Sequence, residues 1–244
     1  YGLVGSEMCI RDRLELWLMK QLQKAQVLVV EDSVEDSLLE GASVEEEAVA
    51  VDSKAKVFNT EINYIKNDRI KESLVNLINL IPDYFFTEAA SSTGKYHPLF
   101  SQGVGGLVRH TKVAVKIANT LLINDSIGYK FTRDEKDLII LSLVMHDSVK
   151  RGIPEEKYTK VEHPLLASKF IRDNAKNTSL TEEEINLVCS MINSHMGQWN
   201  TDFNGNEVLP KPKTKYERFV HMCDYLSAQK FMNINFDENN EIIC

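Results

Sequence analysis

The sequence predicts an all-α protein, a helical bundle preceded by an acidic, poorly ordered N-terminal segment. Three observations carry that expectation. From about Asn63 onward, apolar residues recur at helical spacing. Two Thr-x-x-Glu capping boxes, Thr132/Glu135 and Thr181/Glu184, mark helix starts. No stretch reads as a convincing strand, and no internal repeat is present.

Residues 1–13 (YGLVGSEMCIRDR) read as a non-native, adapter-like stretch with no start Met and no periodicity, and are excluded from fold reasoning. Residues 14–60 read as an acidic segment and linker. They contain a short β-like run, Val27–Val30, and then Glu31, Asp32, Glu35, Asp36, Glu40, Glu45, Glu46, Glu47 and Asp52, with no Lys or Arg between Lys24 and Lys54. The string VLVVEDS resembles the start of a response-regulator receiver, but the further parallel strands and a phosphoacceptor Asp are absent.

The functional domain is expected over 61–244. Ile65, Ile70, Leu74, Leu77, Ile78 and Ile81 form one apolar helix face, which Pro82 then kinks or restarts. Gly103, Gly105 and Gly106 break the chain before a helix over Leu107–Ile123. The helix capped by Thr132 ends at His146-Asp147 and is apolar on nearly all sides, which predicts a central, buried position. His163-Pro164 opens a helix through Asn174, with Pro in the first turn, where a missing N–H costs little. The helix capped by Thr181 reaches His195. After Pro210 and Pro212, a last helix over about Lys215–Asn233 carries His221 and Asp224.

The chain has 244 residues, is 43% hydrophobic and 26% charged, and carries a formal net charge of −8. That charge disfavours long duplex nucleic acid, which needs many cationic phosphate contacts, but not a small nucleotide held by a metal. No apolar run reaches membrane-spanning length, Leu138–Met145 being the longest, so no membrane partner is expected. Cys9, Cys189, Cys223 and Cys244 form no CxxC pair and read as reduced thiols of a cytoplasmic protein. The oligomeric state is left open.

The chemistry lies in the order His110, His146-Asp147, His163, His195, Asp224, each on or beside a predicted helix. Singly, a His on an apolar helix is more often a satisfied core residue than a ligand. The combination changes that reading. Asp147 sits at the C-terminal end of a buried helix, with no positive helix end to compensate it. Burying that carboxylate unpartnered costs several kcal/mol. A divalent cation supplies the partner, and neutral imidazoles accompany it.

Gly105-Gly106-Leu107-Val108-Arg109-His110-Thr111, His146-Asp147-Ser148-Val149-Lys150, Glu162-His163, Ser194-His195 and Cys223-Asp224-Tyr225-Leu226 together resemble the HD-domain superfamily of metal-dependent phosphohydrolases. Within it, the Gly-Gly-Leu-x-x-His-Thr helix start is most similar to the HD domains of bacterial 3′-5′ exoribonucleases. The resemblance implies one metal site from His110, His146, Asp147 and Asp224, and a second from His163 and His195, with Asp147 bridging. One or two divalent ions are implied, Mn or Fe rather than Mg. The implied reaction is hydrolysis of a phosphoester or phosphodiester of a nucleotide or short single-stranded nucleic acid by a metal-activated water, with Asp147 and Lys150 as catalytic residues.

Lys150 either stabilises phosphoryl charge or is a helix-end cation. The usual small residue before it is Val149 here. His97 is expected to line the pocket mouth. His221 is expected behind the ligands or in plain core. Lys211, Lys213 and Arg218, with Lys215, either guide a substrate phosphate or form a solvated loop. The alternatives are a di-iron oxygenase of the same superfamily and a non-catalytic HD sensor or scaffold.

Overall fold

The structure is a computed structural model and describes residues 53–91 and 97–243. The adapter-like stretch and the acidic segment up to Asp52 lie outside the described residues, as do Cys9 and Cys244. The helices are α1 (Asn59–Ile62), α2 (Asp68–Leu80), α3 (Tyr84–Thr87), α4 (Gly106–Leu122), α5 (Asp125–Gly128), α6 (Arg133–Met145), α7 (His163–Asp173), α8 (Glu182–Asn193) and α9 (Lys215–Ser227). The architecture is all-α, with one small exception. A hairpin pairs β1 (Asn235–Phe236) antiparallel with β2 (Ile242–Ile243), which corrects the expectation of no strand.

Helix α6 is the centre. Every residue from Asp137 to Met145 is buried, and α4, α8, α9 and α2 pack around it. An element apolar all round has no solvent face to offer, so it is driven to the middle of the bundle. Its one buried acid, Asp137, accepts from the backbone N–H groups of Lys66 (3.0 Å) and Asn67 (2.7 Å). These N–H groups lie at the start of α2, so the carboxylate fixes where that helix begins.

Both expected capping boxes form, at Thr132/Glu135 and Thr181/Glu184. A third, Thr214/Glu217, starts α9. The last helix is shorter than expected and stops at Ser227. Helix α2 stops at Leu80, and Ile81 is extended before Pro82, as the ring of a following proline requires. The 3₁₀ turn Lys54–Phe58 lies in the stretch read from sequence as linker. Its Ala55 and Phe58 are buried in the core. Cys189 and Cys223 are free and buried, and burial pushes both thiols up, away from the reactive thiolate.

One charge lies deep in the fold away from the metal-type residues. Lys112 on α4 has no solvent exposure. Its ammonium is 3.5 Å from Glu61 Oε2, contacts Glu241 beside β2, and lies over the Phe58 ring at 5.8 Å. Arg109, one turn earlier, donates to Asn240 Oδ1 at 2.6 Å in the hairpin turn. Residues from both ends of the described chain thus close over α4. Removing one partner of a buried ion pair leaves uncompensated charge, a loss of about 3–5 kcal/mol. Lys112→Ala should therefore lower unfolding stability by about that much, whereas Thr214→Ala, which removes one cap, should cost about 1 kcal/mol. Denaturant melts of both variants check the ranking, and equal midpoints would refute it.

Candidate metal centre

His146 and Asp147 directly follow α6, His195 follows α8, His163 opens α7, His110 lies on α4, and Asp224 lies on α9. The ends of the elements thus present all six side chains to one place. His110, His146, His163, His195 and Asp147 are all buried. The Asp147 side chain is 2% exposed and that of Asp224 15%, so Asp224 is the carboxylate nearer to solvent.

Asp147 is the hub. Its Oδ1 is 3.0 Å from His163 Nε2 and 3.8 Å from His195 Nε2. Its Oδ2 is 3.4 Å from His146 Nε2 and 3.9 Å from His110 Nε2. Asp224 Oδ1 is 3.0 Å from His110 Nε2 and 3.4 Å from His146 Nε2. The ligand-type atoms form three overlapping triads: His110/His146/Asp147, His146/His195/Asp224 and Asp147/His163/His195.

The tautomers follow from the other ring nitrogens. His146 Nδ1 lies 2.6 Å from the Leu143 carbonyl, His163 Nδ1 2.7 Å from that of Lys160, and His195 Nδ1 2.7 Å from that of Ile192. A carbonyl can only accept, so each Nδ1 carries the proton and each neutral ring turns a bare Nε2 inward. All three use the carbonyl three residues back, at His146 and His195 a carbonyl in the last turn of the preceding helix. His110 Nδ1 is held at 3.1 Å by Ser227 Oγ, whose own proton goes to the Asp224 carbonyl at 2.7 Å. The hydroxyl must then accept from His110, which leaves His110 Nε2 bare as well.

Bare lone pairs face one another here. His163 and His195 Nε2 approach to 3.3 Å. His146 Nε2 and Asp147 Oδ1 are buried without a hydrogen-bond partner. Two carboxylates converge with four imidazoles, and Lys150, at 2.6 Å from Asp147 Oδ2, is the one lysine or arginine ion-paired to either carboxylate among the described residues. That leaves one negative charge uncompensated in a buried site. A divalent cation fits this donor set in charge and in ligand chemistry.

The proton affinities report the same deficit. Burial would raise Asp147, but Lys150 and His146 outweigh it and hold the carboxyl well below the usual range. Asp224 is likewise held down, against burial, by His110 and His146. Burial would lower His146, yet Asp147 and Asp224 raise it to about 10. Burial, then His146, pushes His195 down to about 3. In the absence of a metal, a proton on His146 takes the cation's place.

His97 lies against His110, with ring centroids 5.1 Å apart, and burial, then His110 and Lys150, lower it to about 3. It therefore borders the centre as a neutral ring. His221 donates through Nδ1 to the His195 carbonyl at 2.6 Å, so it acts on the backbone of a neighbour and not at the cluster itself. Gly197 permits this contact. Its φ is +60°, and a Cβ there would lie 2.1 Å from His221 Cε1.

Among the described residues, no ion pair joins Lys211, Lys213, Lys215 or Arg218 to the cluster. Lys211 is paired with Glu207 in its own loop, and Lys215 reaches the Lys130 carbonyl and Glu135 near the start of α6. The cluster lies beyond the other end of α6. Arg218 is six residues before Asp224, a rise of about 9 Å along the helix and on a different face. Neighbourhood in sequence before Asp224 is distance along the helix axis.

Sequence reasoning missed Ser227 and Gly197. Ser227, one turn after Asp224 on the same face, was visible as a spacing, but its contact with His110 crosses between helices. Ser227→Ala should weaken divalent-metal affinity about tenfold or more, and Ser227→Thr, which keeps the hydroxyl, should restore most of it. Unchanged affinity in the alanine variant would remove Ser227 from the site. A metal that takes His146 must displace a proton held with a pKa of about 10. Affinity should therefore rise with pH up to that value, with protons released on binding near pH 7. Calorimetry in buffers of different ionisation enthalpy measures the release, and a pH-independent affinity would contradict it.

No helix among the described residues is long and apolar enough to cross a membrane. No curated protein and no solved structure matches the chain. The HD domain matches residues 105–229, just over half of the chain, and spans all six convergent residues. HD domains bind divalent metals and are typical of metal-dependent hydrolases. The chain belongs to the HD domain family.

Proposed function

We propose that this protein is a metal-dependent phosphohydrolase that cleaves a phosphoester or phosphodiester of a nucleotide or short single-stranded nucleic acid. The observation that carries the reading is the Asp147 carboxylate, whose two oxygens face two different groups of imidazoles. His110, His146, Asp147 and Asp224 would hold one divalent ion, and His163, His195 and Asp147 a second. Ligands rich in imidazole favour Mn or Fe over Mg. Bound there, the metal supplies a water of lowered pKa and neutralises phosphoryl charge. The helix start Gly105–Thr111 supports placing the chain beside the HD domains of bacterial 3′-5′ exoribonucleases.

The chain's own residues set the rest. Carbonyl acceptors hold the Nδ1 proton of three imidazoles in place, so each presents Nε2 as its ligating atom, and at His146 the Nε2 proton must leave before a metal binds. Lys150, part-buried with its ammonium on Asp147 Oδ2, is within reach of a phosphoryl oxygen placed at the centre. Its side chain is 12% exposed, enough to face a ligand entering from solvent. His97 would border the bound group beside His110.

Asp147→Ala should empty the site of metal and abolish hydrolysis of a model phosphodiester. Lys150→Ala should keep its metal and lose about 2–4 kcal/mol of transition-state stabilisation, the cost of removing a single oxyanion donor. Metal content and turnover of both variants decide the matter. An Asp147→Ala protein that retains metal and rate would refute the mechanism.

A further inference from the structure

His195 reaches the metal-type cluster from a loop. Helix α8 ends at Asn193. Beyond it, His195, Gly197 and Trp199 each donate a backbone N–H to the carbonyl three residues back, at 3.2, 3.0 and 3.1 Å. Bonds of this kind shape the loop from within and do not fix where it stands against another helix. The His195 ring has no short contact to a carboxylate either. Its Nε2 is 3.8 Å from Asp147 Oδ1 and 3.3 Å from His163 Nε2.

Helix α9 supplies the hold at three points. His221 Nδ1 donates to the His195 carbonyl at 2.6 Å. The same ring lies against Gly197, so closely that a Cβ there would come 2.1, 2.4 and 2.6 Å from Cε1, Nε2 and Nδ1. One turn on, Tyr225 stacks with Trp199, ring centroids 5.7 Å apart and planes 23° apart. His221 and Tyr225 are four residues apart and so share a face of α9, while His195, Gly197 and Trp199 alternate along the loop. Two successive residues of the helix face thus clasp three alternate residues of the loop.

Asp224 lies on α9 between His221 and Tyr225. His195 and Asp224 meet in one group of ligand-type atoms, with His146. The clasp therefore sets the separation between a carboxylate assigned to one ion and an imidazole assigned to the other. We infer that His221 is a positioning residue for His195, required for the ion that His163, His195 and Asp147 would hold and dispensable for the ion of His110, His146, Asp147 and Asp224. The inference rests on the two-ion assignment made above. His221 acts through the His195 backbone and touches neither ion.

The test is titration of the full chain, stripped of metal, with Mn²⁺ alone. Calorimetry counts the ions, and electron paramagnetic resonance separates an isolated Mn²⁺ from a spin-coupled pair. The unsubstituted protein should bind two ions and show the pair signal. His221→Ala and His221→Phe both lose the Nδ1 donor, and Phe keeps a ring beside Gly197. Each should retain one ion at nearly unchanged affinity, weaken the second about tenfold or more and lose the pair signal. His221→Asn, whose amide can donate from the position of Nδ1, should restore the second ion. Gly197→Ala, whose Cβ displaces the ring, should reproduce the His221→Ala result with His221 intact. Two ions at unchanged affinity in the Ala and Phe variants would overturn the role. Equal loss of both ions, or no recovery in His221→Asn, would overturn it as well. No more than one ion in the unsubstituted protein refutes the two-ion assignment and this role with it, whereas a pair signal that survives His221→Ala refutes the role of His221 alone.

Discussion

Asp147 stands just past the C-terminal end of α6, the most buried helix among the described residues, where the helix dipole opposes negative charge and water is excluded. A carboxylate in that position destabilises the fold unless other groups gather round it. Here Lys150, one turn on, pairs with it, and imidazoles arrive from three further elements: His110 from α4, His163 from the start of α7 and His195 from the end of α8. The bundle's packing around α6 and the assembly of its centre are therefore one geometric problem. Shifting any of these helices by a turn would take a partner from Asp147.

Ring orientation at the site is set largely by backbone carbonyls. His146 and His195 each donate through Nδ1 to a carbonyl in the last turn of the helix before them. That one bond sets the tautomer and aims the lone pair. Ser227 does the equivalent for His110, through a hydroxyl whose proton is already committed to Asp224's carbonyl. Fixing orientation before a ligand arrives lowers the entropy that binding must overcome.

The sequence shows the main helices clearly because their signals are local. Thr132/Glu135 and Thr181/Glu184 state their helix starts within four residues, and α6 states its burial by having no polar face. The hairpin is illegible because two-residue strands have no room for alternation, and its anchors, Asn240 and Glu241, act on side chains over a hundred residues away. The order of the six His and Asp residues is plain in the chain, and the structure gathers them. What each does there is the substance of the functional proposal. Arg218 shows the opposite limit: six residues before Asp224 on one helix, it lies about 9 Å away along the axis and on another face.

The buried ammonium of Lys112 sets the true boundary of the folding unit. The family match begins at Gly105 and ends at Gln229, yet the two carboxylates that neutralise Lys112, Glu61 and Glu241, lie outside it on either side. A piece trimmed to the matched span would keep the lysine and lose both counter-charges. Such a truncation would be unstable whatever became of its metal centre, and swapping this domain into another protein calls for carrying the flanks from Lys54 to Ile243 along with it.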